Sequence, residues 1–146
     1  MNNINIALKS ALPVGAKTLV VDDSIPTRRI FRSILQKIGF EVDEAVHGKE
    51  ALEILEKKID QYCIIFSDIS MPQMDGFEFC YKLQRQAWYD GTPFVLVSTE
   101  SDANNVIKGL KLGADDFMPK PFDQEIAELV IARVMSYTPF KTLQTV

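Results

Sequence analysis

An α/β domain with a parallel sheet covered by helices on both faces follows from three features of this sequence. Five short apolar runs alternate with amphipathic stretches of helical length. The loops between them are short, and that alternation forces right-handed crossovers and a parallel sheet. In addition, four of the five runs end in residues able to do chemistry: Asp22-Asp23, Asp68, Ser98 and Lys120. In open α/β sheets the ligand crevice lies just outside the carboxyl ends of the strands.

Taken in order, residues 1–16 carry few long-range signals and end at Pro13 and Gly15. They read as a flexible or weakly helical extension that can also dock on the domain. Thr18-Leu19-Val20-Val21 is the first strand. Ser24 is a good N-cap, Pro26 suits a first helical turn, and Ile30, Ile34 and Ile38 recur every fourth residue, predicting a helix over 25–38 closed by Gly39. Phe40–Ala45 is the second strand, His47-Gly48 a turn, and Lys49–Lys57 a helix with Ala51, Leu52 and Leu55 on one face.

Cys63–Ser67 is the third strand, with Asp68 at its end and a break at Met71-Pro72. Its length and β-branched content are those of a strand buried on both faces. A helix over 77–88 is predicted to turn Phe77, Cys80, Leu83 and Ala87 inward. Phe94–Ser98 is the fourth strand, followed by a helix over 103–112 with Val106, Ile107 and Leu110 apolar and Gly113 as its stop. Asp116–Met118 is a brief fifth strand. Asp123 then caps a last helix predicted to turn Ile126, Leu129, Val130 and Val134 to the core. The domain proper is expected over 17–136, with 137–146 a short tail.

The chain has 146 residues, 47% of them hydrophobic and 25% charged, enough to bury one real core. A net charge of -4 argues against bulk electrostatic binding of nucleic acid. No stretch reaches the length of a membrane span and the first residues lack a signal-peptide pattern, so a cytoplasmic monomer is expected. Cys63 and Cys80 lack metal-ligand or redox spacing and read as small core residues.

Three carboxylates converging at one sheet edge need neutralising. Two unit charges about 4 Å apart repel by roughly 4 kcal/mol at an effective dielectric near 20. A hard divalent cation such as Mg²⁺, with Mn²⁺ as a substitute, binds such oxygens. Asp22 and Asp23 are then metal holders, Asp68 is a nucleophile, Lys120 a compact positive charge and the Ser98 hydroxyl a donor. These are the parts needed to receive a phosphoryl group as an acyl phosphate. The bland alternatives are a helix cap for either of the paired acids, a turn-capping role for Ser98 and plain core packing for Phe117.

Val20-Val21-Asp22-Asp23-Ser24, Ser67-Asp68-Ile69-Ser70-Met71-Pro72, Met74-Asp75-Gly76, Val97-Ser98 and Lys120-Pro121-Phe122 together resemble the response regulator receiver domain, the CheY-like family of two-component signalling. The resemblance covers roughly residues 17–136. It implies a doubly wound (βα)5 flavodoxin-like three-layer sandwich with strand order 2-1-3-4-5, for which CheY is itself a standing example. It also implies phosphorylation at Asp68 and Mg²⁺ on Asp23, Asp68 and the Ser70 backbone carbonyl, with Asp22 helping through water. Ser98 and Lys120 match the phosphoryl-binding pair, the Lys120-Pro121 bond is expected to be cis, and Phe117 falls on the switch aromatic. Ser70 and Glu100 occupy positions that tune acyl-phosphate lifetime in the family. Thr99 is bulkier than the alanine common at its place.

By the same resemblance the partners are a sensor histidine kinase or phosphotransfer protein and a downstream target protein. Signalling would run through the helix at 103–112, strand five and the last helix, in a stand-alone receiver that is not an enzyme. A phosphorelay intermediate or phosphate sink is the neighbouring alternative. Arg28, Arg29 and Arg32 form either a solvated face or a docking site for the phosphodonor, and the single histidine, His47, reads as a surface turn residue. An aspartate-nucleophile phosphohydrolase is a rival, although such enzymes need a second acid where this chain has Ser70. A flavin or nucleotide module is another, although Asp22-Asp23 would repel its phosphates.

Overall fold

The computed structural model describes residues 3–99 and 103–145, with side chains over 3–99 and 103–136. Its elements are α1 (Asn3–Ala11), β1 (Lys17–Val21), α2 (Ile25–Ile38), β2 (Glu41–Ala45), α3 (Gly48–Lys57), β3 (Ile64–Asp68), α4 (Gly76–Gln84), β4 (Phe94–Ser98), α5 (Ala103–Lys111), β5 (Asp116–Pro119) and α6 (Gln124–Thr145). The strands form one sheet of order β2-β1-β3-β4-β5. Every neighbouring pair is parallel, with Val21 opposite Ser67, Asp68 opposite Val97 and Ser98 opposite Pro119. That register brings the carboxyl ends of β1, β3, β4 and β5 to one edge.

The period of two along each strand divides the core into two layers. Val20, Ile64, Phe66, Val95, Val97 and Met118 face one way and pack with Phe31, Leu35 and Ile38 of α2 and Ala127, Val130, Ile131 and Val134 of α6. Leu19, Val21, Ile65, Phe94 and Leu96 face the other way, against Ala51 of α3 and Phe77, Phe79, Cys80 and Leu83 of α4. Phe31 links the first layer across the molecule, its ring centroid 5.5 Å from Phe66 and 4.5 Å from Phe122.

The helix starts follow local chemistry. Ser24 caps α2 by accepting from the Thr27 N–H, His47 caps α3 through Nδ1, and Asp75 caps α4 by accepting from the Glu78 N–H at 2.8 Å. Asp123 likewise accepts from the Ile126 N–H at 2.9 Å. Helix α1 docks on α2 and α6, burying Asn5 and Leu8. Ile4 and Leu12 join it against the first core layer. Helix α6 continues through Thr145, so residues 137–145 of the expected tail are helical.

Several predicted faces are corrected. Ile30 is 50% exposed, because a strict four-residue repeat drifts around a helix of 3.6 residues per turn; the buried stripe is Phe31, Leu35 and Ile38. Leu129 is 47% exposed because the buried stripe of α6 is turned slightly from the predicted one and runs through Ala127, Val130, Ile131 and Val134. Helix α4 stops at Gln84, so Ala87 lies outside it and is exposed. The chain turns there, and Trp88 and Tyr89 pack against the second layer instead.

Candidate functional site: an acidic pocket at the sheet edge

The pocket is built from the ends of three strands. Asp22 follows β1 and is fully buried, Asp68 closes β3 at 8% exposure, and Asp23 is exposed beside them. One carboxylate oxygen from each lies within 4.8 Å of the others. Each acid is held by its own backbone neighbourhood. Asp22 Oδ1 accepts from the Ser24 N–H at 2.8 Å and Asp68 Oδ1 from the Ile69 N–H at 2.9 Å.

Lys120 enters from the end of β5. Its Nζ donates to Asp22 Oδ2 at 2.8 Å and stands 3.1 Å from Asp68 Oδ1. The Lys120 N–H donates to the Ser98 carbonyl at 2.9 Å, which ties the lysine to the strand end carrying that hydroxyl. The Lys120-Pro121 bond is cis. Ser98 is buried, Phe117 is half-buried against the second core layer, and Ser70 and Thr99 are exposed. Glu100 lies outside the described residues.

Burial raises the Asp68 carboxyl above the ordinary carboxylate value and the Asp22 charge adds to the rise, while Lys120 only partly offsets them. For Lys120 burial works downward, but the hydrogen bond and charge of Asp22, followed by those of Asp68, leave it above its ordinary value. One ammonium therefore serves a pocket of three acids. The donors are all hard oxygens at close quarters, a set that fits a divalent cation.

Three supports were not legible as such in the sequence. The Arg28 guanidinium donates from NH1 to the Asp22 carbonyl at 2.8 Å and from Nε to Glu44 at 3.0 Å. Arg32 joins the same Glu44 at 2.5 Å, so two of the three arginines of α2 are engaged with β2. Behind Asp68, Gly76 comes so close that a Cβ there would sit 2.2 Å from the Asp68 carbonyl oxygen. The missing side chain lets the start of α4 close against the acid. Finally, Lys120 pairs with Asp22 more closely than with Asp68.

Residues 18–131 match the family described as response regulator receiver domain. This chain belongs to that family. A CheY homolog of Campylobacter jejuni is 39% identical over 111 residues, 75% of this chain and 85% of that protein. PilG of Pseudomonas aeruginosa is 33% identical over 126 residues, 86% of this chain and 92% of that one. The chain spans about half the length of two longer relatives, the probable transcriptional regulators ycf27 of Cyanophora paradoxa (52%) and Porphyridium aerugineum (48%).

The structure of Vibrio cholerae CheY4 superposes with a TM-score of 0.76 and 37% identity, covering 83% of this chain and 99% of that one. Its whole fold is thus accounted for by part of this receiver. Of these relatives, the two CheY proteins are named as chemotaxis proteins and the two ycf27 proteins as probable transcriptional regulators. Among the described residues no helix is long and apolar enough to cross a membrane.

Proposed function

We propose that this receiver takes a phosphoryl group from the phosphohistidine of a histidine kinase or phosphotransfer protein onto Asp68 and signals by binding another protein. An Asp68 carboxylate oxygen attacks phosphorus in line, the O–P bond forms, the P–N bond of phosphohistidine breaks, and the imidazole keeps the electron pair and gains a proton. Lys120, already 3.1 Å from Asp68 and held charged by two acids, turns to the incoming phosphoryl oxygens. The Ser98 hydroxyl, on the neighbouring strand end, donates to another.

Asp22, Asp23, Asp68 and the Ser70 backbone carbonyl would hold Mg²⁺, which supplies positive charge against the transferring oxygens when bound. What carries the reading is the convergence of Asp22, Asp23 and Asp68 with Lys120 at one sheet edge.

The test is intact mass after incubation with Mg²⁺ and a small phosphoramidate. One phosphoryl group per chain is expected, and none for Asp68→Ala. Many equivalents of a phosphate ester hydrolysed per chain would instead make the protein a phosphohydrolase.

A further inference from the structure

Helices α4 and α5 lie side by side on one face of the sheet and carry a cationic groove remote from the chemistry of Asp68. Lys82 on α4, Arg85 at its end, and Lys108 and Lys111 on α5 give four cations, against Glu78 as the single carboxylate of the two helices. The chain as a whole has a net charge of -4, so this stripe opposes the prevailing sign. Between the helix ends lies a groove of about 300 Å³ lined by Tyr81, Gln84, Arg85, Lys111 and Leu112.

Two observations distinguish these cations from a solvated face. Arg85 and Lys108 rest on aromatic rings, the guanidinium 4.1 Å from the Tyr81 centroid and the ammonium 4.3 Å from that of Phe77. Stacking fixes Arg85 and leaves the outer edge of its fork free to meet a carboxylate. Among the described residues, Arg85, Lys108 and Lys111 form no ion pair.

Basic residues in last helical turns often serve the exposed carbonyls there. Here other groups do much of that work. The Lys82 carbonyl accepts from Arg85 N–H and Gln86 Nε2, and the Leu83 carbonyl from Gln86 N–H. The carbonyls of Lys108, Gly109 and Leu110 accept from backbone N–H groups of residues 112–114, and that of Gly113 from Gln84 Nε2.

We propose that the α4–α5 groove binds an acidic peptide segment of a partner protein. An apolar side chain would lie between Tyr81 and Leu112, with carboxylates on Arg85 and Lys111. A nucleic acid fits less well, because four cations on a chain of net charge -4 offer few phosphate contacts against overall repulsion. The surface is separate from the acidic pocket.

The experiment uses the full chain and a fluorescein-labelled peptide in which a central leucine is flanked by glutamates. A lysine-for-glutamate version and an oligothymidylate serve as comparison probes. Anisotropy should show binding of the glutamate peptide only, with amide shifts confined to residues around 81–85 and 108–113. The double variant Arg85→Glu with Lys111→Glu should weaken binding by at least about tenfold. It should still take up one phosphoryl group, since neither residue touches the acidic pocket.

Arg85→Lys, which keeps charge but loses the fork, should bind at an intermediate level. Lys111→Glu alone serves if the double variant does not fold. No binding of the glutamate peptide, affinity unchanged by charge reversal, or tighter binding of the oligothymidylate would each overturn the proposal.

Discussion

A single buried carboxyl shows how much of this site's behaviour is set by neighbours. Asp68 is held above its ordinary value by burial and by Asp22. The folded state therefore binds a proton more readily than the unfolded chain. A carboxyl raised in this way favours folding while protonated, and that contribution is lost as pH rises through its folded value. At pH 7 without divalent metal the Asp68 charge should thus work against the fold. Asp68→Asn should melt higher than the wild type in the presence of a chelator, with the gain shrinking as pH falls through the raised folded value and gone below about pH 4, where the unfolded carboxyl is protonated too. Thermal melts at the two pH values check this, and adding Mg²⁺ should stabilise the wild type more than the variant. A second residue-scale expectation concerns Gly76. Its substitution by Ala puts a carbon 2.2 Å from the Asp68 carbonyl, too close to stay without a backbone shift. A loss of about 1–3 kcal/mol is expected by denaturant titration, together with slower phosphorylation as Asp68 moves.

Among the elements, α1 is the one whose role depends most on tertiary packing. Nine residues are too few for a stable isolated helix, so it persists because Leu8 is buried and Ile4 and Leu12 pack on α2 and α6. Leu8→Ala should cost about 2–3 kcal/mol by chemical denaturation, near the lower end for a buried leucine, since the docked helix can settle. The sequence alone left this segment between a loose extension and a docked helix, because its signals are local and one of its two partners, α6, lies more than a hundred residues away. The strands were legible for the opposite reason. Leu19 to Val21, Ile64 to Phe66 and Phe94 to Val97 are apolar on both faces, and few structures other than a covered parallel strand accept such a run. Helix faces were harder. Ile30 and Leu129 each sit beside the true core stripe, and a single apolar residue one position off does not disturb an amphipathic pattern. The acids, serine and lysine of the pocket stood out because they end strands. The pairing of Lys120 with Asp22 was hidden, since it joins residues 98 apart through side-chain reach that no spacing encodes.

For the whole molecule, the question is whether changes at the pocket can move a distant surface. Charge-assisted hydrogen bonds contribute about 1.5–3 kcal/mol each, so Ser98 and Lys120 together can supply roughly 3–6 kcal/mol. Driving a two-state population from 1:99 to 99:1 takes about 5.5 kcal/mol. Those contacts reach that figure only near their upper bound, so under the proposed function a graded response completed by a bound partner is expected. The part with least resistance is α5. Gly109 is its only buried residue among those described, Ile107 and Leu110 are each 49% exposed, and Gly109 approaches Leu96 so closely that a Cβ there would lie 2.5 Å from it. Local opening is easiest where apolar burial is thinnest. Amide hydrogen exchange should accordingly be faster in α5 than in α2, which buries Phe31, Leu35 and Ile38. After Asp68 takes a phosphoryl group, protection in α5 and at the ends of β4 and β5 should change while α2 and α3 stay as they were. A uniform change across all helices, or none in α5, would place the moving surface elsewhere, since Ser98 and Lys120 join the pocket to the rest of the fold through β4 and β5.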